Sequence, residues 1–101
     1  VTADNQTGTS YTLAIGDAGE VVELNNASSI TLTVPPNSSV AFGVGTVIEL
    51  WQQGAGQVTV SPGSGVTIRS PSSKTKLAAQ YASATLRKRA TDEWALEGNL
   101  A

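Results

Sequence analysis

Apolar and polar residues alternate with a period of two in short runs along most of the chain, a pattern that puts successive side chains on opposite faces of a strand and that a helix cannot use. Ile30-Thr31-Leu32-Thr33-Val34 is the clearest run: Ile30, Leu32 and Val34 share one face, Thr31 and Thr33 the other. Pro35-Pro36 ends it, since proline donates no ladder hydrogen bond and restricts its predecessor. Tyr11, Leu13 and Ile15 form an earlier alternating face, and Val22 and Leu24 are expected inward with Glu23 outward. Residues 40–44 continue the alternation through Phe42. In residues 46–53, the longest apolar-rich run, Ile48 and Leu50 point one way and Val47, Glu49 and Trp51 the other.

Gln57 to Val60 and Val66 to Arg69 each place two β-branched residues around a threonine and flank a Gly-rich turn, so the plain expectation is a hairpin. Their echo also suggests stacked short strands. A loop is expected at 74–80, a strand at 81–89 anchored by Leu86, a turn at Asp92-Glu93, and a last strand with Trp94 and Leu96 inward. The expectation is an all-β domain: a compact sandwich, barrel or prism of about eight to ten short, mostly antiparallel strands, because no connection is long enough for a helical crossover. Residues 1–10, VTADNQTGTS, read as a polar arm or linker before a single β domain over 11–101, with Val1 taken as the start of either a cloned segment or a processed product.

Composition narrows the chemistry. The 101 residues include no Cys, Met or His, which removes disulfides, thiol nucleophiles, sulfur-ligated metals and His-based hydrolytic triads. Charged residues are 14 % of the chain against about 25 % in ordinary soluble domains, so much of the surface must be Thr, Ser, Asn, Gln and Gly. That suits a chain that packs against copies of itself. A net charge of −2 argues against a nucleic-acid partner, and the absence of a long apolar run argues against membrane insertion.

Two of Glu20, Glu23 and Glu49 could conceivably form a carboxylate pair for glycoside hydrolysis, but charges that keep outer strand faces wet are the simpler reading. Arg87 and Arg89 fall on one strand face and Lys88 on the other, which splits the basic cluster; pairing with Glu93, Glu97 or a neighbouring subunit's acids is expected. Asn5, Asn26 and Asn37 each begin a glycosylation-type triplet, as expected by composition alone. Two short Gly-rich turns lack the following helix a phosphate site needs. No catalytic, cofactor-binding or metal-binding residue is assigned. Trp51, Glu49, Val47, Arg87 and Arg89 remain as candidate interface or recognition residues, because a strand apolar on both faces favours a subunit contact.

From Tyr11 onward, the DAG turn at 17–19, VPPNSS at 34–39, GAGQVT at 54–59 and DEW at 92–94 resemble a family of small β-rich domains in bacteriophage virion proteins. The resemblance implies a non-enzymatic structural module, homotrimeric, in a tail fibre, an appendage or a capsid decoration. It implies residence in the virion, with other virion proteins as partners and no cofactor. Binding of a host receptor or glycan is the alternative role.

Overall fold

In the computed structural model, which describes residues 3–101, nine short strands form two facing sheets, a six-stranded one in the order β1-β3-β5-β8-β9-β7 and a three-stranded one in the order β2-β4-β6. The strands are β1 (Ala3–Gln6), β2 (Ser10–Thr12), β3 (Val21–Leu24), β4 (Ile30–Val34), β5 (Val47–Gln52), β6 (Val58–Pro62), β7 (Thr67–Arg69), β8 (Ser83–Ala90) and β9 (Glu93–Gly98). The domain is all-β and sandwich-like, as the alternation predicts. Leucine, isoleucine and valine from β3, β5 and β8 meet those of β4 and β6 in one core, which Trp94 and Phe42 complete.

The pairing is mixed. β8 runs antiparallel to both β5 and β9, meeting the antiparallel expectation, whereas β1 with β3, β3 with β5, β2 with β4, β4 with β6, and β7 with β9 are parallel. The reason is the path of the chain. From β1 to β7, consecutive strands lie in opposite sheets, so each connection crosses the sandwich, and β1 to β4 each pair with the next strand but one. The strand on the far side does the work of a crossover helix. For the same reason β6 and β7, expected as a hairpin, belong to different sheets.

ITLTV and VTVSP are the true echo: Ile30 pairs with Val58, Leu32 with Val60 and Val34 with Pro62. Ile30 on Val58 and Leu32 on Val60 thereby stack inside, and Thr31 on Thr59 and Thr33 on Ser61 stack outside.

Three local expectations change. Residues 3–6 of the segment read as an arm form edge strand β1, with Asp4 level with Val22, and Ser10 opens β2; Val1 and Thr2, including the reading of Val1 as a cloned or processed start, lie outside the described residues. Ile15 leaves the sheet in a one-turn 3-10 helix, Ile15–Asp17, and is 60 % exposed. Residues 40–44 form no strand, because Asn37, Ser38 and Ser39 turn the chain; Phe42 is carried into the core and Val40 packs against its margin.

Candidate functional site

The five candidate residues come together on the outer face of the six-stranded sheet. Val47 lies opposite Arg87 across the β5–β8 ladder, Glu49 opposite Thr85 and Trp51 opposite Ser83, so their side chains share the face turned away from the core. Val47 is 43 % exposed. The split of the basic cluster also holds: Arg87 is exposed on this outer face, and Arg89 bonds Glu93 at 2.8 Å. Arg69 reaches the same carboxylate at 2.9 Å. The Arg69 hydrogen bond, with Arg89 beside it, holds the Glu93 carboxyl below the usual range. Exposed pairs of this kind contribute little to stability.

Trp51 has a partner that strand alternation could not reveal. Its indole N–H donates to the Tyr81 carbonyl at 3.0 Å, and the two rings stack with centroids 5.8 Å apart. Tyr81 sits at φ 71°, in the left-handed region, and is 64 % exposed. The aromatic pair thus adds a stacked apolar step to a face that also carries Val47 and Val21 among its polar residues. Glu23 lies level with Trp51 on β3, and Val21 level with Glu49. Glu20 stands just before β3, where its carbonyl accepts the Glu49 N–H at 3.1 Å. No cavity lies beside these carboxylates among the described residues.

Inside the first turn of the coil the structure assembles a polar cluster absent from the sequence reading. The Tyr11 hydroxyl is 2.8 Å from Asp4 Oδ2 and 2.6 Å from Asp17 Oδ2; Asp17 Oδ2 also accepts the Ala14 N–H at 2.8 Å, and Gln6 donates to Asp4 at 2.8 Å. A phenol has one proton to give, so contact with both carboxyls is satisfied when one of them keeps its own. Asp17 is the more readily protonated of the two. Burial, then the neighbouring Asp4, push its carboxyl up, whereas hydrogen bonds from Asp17 and Tyr11 pull Asp4 down. Burial and both carboxylates push the Tyr11 hydroxyl far above a normal phenol.

The sign of the pH dependence follows. A raised Asp17 contributes stability below its unfolded pKa that is lost as pH rises through the folded value; a lowered Asp4 contributes stability above its unfolded pKa that is lost in strong acid. Asp17→Asn carries a permanent donor and keeps an acceptor for the Ala14 N–H. Its urea midpoint is expected to fall less than the wild type's between mildly acidic and neutral pH, and equal falls would show that Asp17 does not carry the effect. Tyr11→Phe is expected to cost about 1–3 kcal/mol by leaving the buried Asp17 carboxyl with the Ala14 N–H but without the hydroxyl.

The four distinctive sequence blocks act as locks between turns of the chain. Gly19 of DAG donates to the Val47 carbonyl at 2.8 Å. Gly56 of GAGQVT donates to the Asn26 carbonyl at 2.8 Å, beside the buried Gln52, whose amide bridges Gly54 and Val58. VPPNSS and DEW meet each other: the Asn37 N–H donates to Asp92 Oδ1 at 2.6 Å, and Phe42 packs edge-on against Trp94 with centroids 5.4 Å apart. Lys88 completes this junction. It is 2 % exposed, and its Nζ donates to Asn37 Oδ1 at 2.7 Å and to the Phe42 carbonyl at 2.8 Å. Its position between Leu86 and Ala90 on the inward face was the available signal.

No protein-family model matches the chain, and no curated protein matches it significantly. Among the described residues, no group of three or more acidic, His or Cys side chains gathers as a metal site.

Proposed function

We propose that the chain is a non-enzymatic structural module of a bacteriophage virion, serving as a tail-fibre or appendage segment or as a capsid decoration, and assembling as a homotrimer with other virion proteins as neighbours. The observation that carries the structural reading is the outer face of the six-stranded sheet, where Val47, Trp51 and Tyr81 present apolar surface. The blocks that resemble phage virion domains support the assignment to a particle. Their backbone N–H groups, with the Asp92 and Trp94 side chains, hold turns of the chain together, as suits a module that bears load. Low charge suits a surface covered by identical chains.

The trimer is tested by light scattering coupled to size exclusion. A mass near 31 kDa, three times the 10.3 kDa chain, is the expected result, and Trp51→Ala is then expected to shift it downward. A mass near 10 kDa at micromolar concentration removes the trimer.

A second reading, recognition of a host receptor or glycan, is favoured by one specific feature, the exposed Tyr81 ring stacked on Trp51. Sugar faces pack on such rings. Loss of cell binding in Trp51→Ala with assembly intact would favour it over the structural role.

A further inference from the structure

The Lys88 junction places a primary amine against a side-chain amide in a dry setting. Nζ is 2.7 Å from Asn37 Oδ1; with a carbonyl bond of about 1.2 Å, it is within about 3.9 Å of the Asn37 Cγ, close to the separation at which bound reactants begin to react. The Phe42 carbonyl holds the amine from a second side at 2.8 Å, and Phe42 and Trp94 supply an apolar wall. Among the described residues, no carboxylate lies within ion-pair distance of Lys88. Asp92 is nevertheless close at hand, because its Oδ1 is fixed 2.6 Å from the Asn37 N–H. Asn37 itself is half-buried.

From this arrangement we propose that Lys88 and Asn37 join through an intramolecular amide bond. The Lys88 ammonium loses a proton, and Nζ attacks the Asn37 Cγ. The tetrahedral carbon then collapses with loss of the amide nitrogen. Asp92, acting through one water, relays protons from Nζ to the departing nitrogen. One C–N bond forms and one breaks: ammonium plus side-chain amide becomes a substituted amide plus a released ammonium ion, with no change of oxidation state and no co-reactant. The product ties the 35–46 loop covalently to β8 in a chain that has no cysteine to do so. This assignment is independent of any place in a virion.

The test is the intact mass of the purified, denatured chain, followed by peptide mapping. The expected mass is that of the sequence less one ammonia, with a branched peptide joining positions 37 and 88. Asn37→Asp is expected to lose water instead and reach the same product mass. Lys88→Arg and Asn37→Ala are expected to retain the full mass of their sequences. Asp92→Asn keeps an acceptor for the Asn37 N–H but cannot carry a proton, and is expected to release no ammonia; full release in that variant would overturn the relay. A wild-type chain at its full sequence mass overturns the bond. So does an ammonia loss that persists in Lys88→Arg, which would be cyclisation of Asn37 on its own backbone.

Discussion

Gly56→Ala is expected to destabilise the domain by about 3 kcal/mol or more, a large part of the roughly 5–15 kcal/mol that a small domain has in total. A Cβ built on Gly56 falls 1.8 Å from the Ser28 carbonyl oxygen, 2.4 Å from its carbon and 2.6 Å from the Asn26 carbonyl oxygen. All three atoms are backbone, so no rotamer change relieves the clash; the turn at 53–57 must lift off the turn at 25–29. That motion would break the Gly56 N–H bond to Asn26 and strain the Gln52 amide that spans Gly54 and Val58. Gly16→Ala is the control. Its Cβ meets nothing within 4 Å and no left-handed backbone is required, so a change within about 0.5 kcal/mol is expected. Urea denaturation of the two variants decides the matter, and equal midpoints would mean that the stacked turns are not close-packed.

Trp94→Ala is expected to cost about 3–5 kcal/mol, the range for removing a large buried aromatic side chain. Trp94 is 1 % exposed, and its indole is the edge-on partner of Phe42, the residue that carries the 40–44 segment into the core. The loss therefore has two parts: the cavity left by the indole, and the release of a loop with no ladder of its own. The aromatic contact alone accounts for about 0.5–1.5 kcal/mol of it. Amide exchange distinguishes the parts, with protection expected to fall first around Phe42 and Lys88. Trp94→Phe, which keeps a ring against Phe42, is expected to recover much of the stability. A Trp94→Ala chain with wild-type stability would place the indole outside the core.

Strand faces were legible in the sequence; strand partners were not. ITLTV, VIELWQ and WALEG show which side chains face inward because the pleat alternates strictly, and the structure buries Ile30, Leu32, Val34, Ile48, Leu50, Trp94 and Leu96 accordingly. Alternation contains no information about which strand lies next door. A short Gly-rich turn between two strands looks the same whether it closes a hairpin or carries the chain across a sandwich. The signal that distinguishes them was the match of ITLTV to VTVSP at a spacing of one full turn of chain, 28 residues from Ile30 to Val58, rather than the match between adjacent strands.

The candidate face was legible for the same reason that the core was. Val47, Glu49 and Trp51 share a parity, and so do Arg87 and Arg89. What escaped were contacts made by residues outside regular strands. Tyr81 covers Trp51 from a left-handed backbone position that no apolar pattern marks. Asp17 and Tyr11 meet because a 3-10 turn folds back beneath β2. Lys88 fell at an inward position, yet its burial depends on acceptors from Asn37 and Phe42 that lie 51 and 46 residues away.

The place of β7 at the sheet edge has a consequence for the order of assembly. In the coil, β7 follows β5 and would be its natural neighbour, but β8 and β9 occupy the space between them, and β7 bonds only to β9. Strands β1 to β6 can pair as they emerge from a ribosome, each on one already made. Thr67–Arg69 cannot, for its partner Glu93–Ala95 is synthesised more than twenty residues later. The six-stranded sheet is therefore sealed from its far end, and a chain halted before Glu93 carries one complete sheet and a second that still has an unzipped hem.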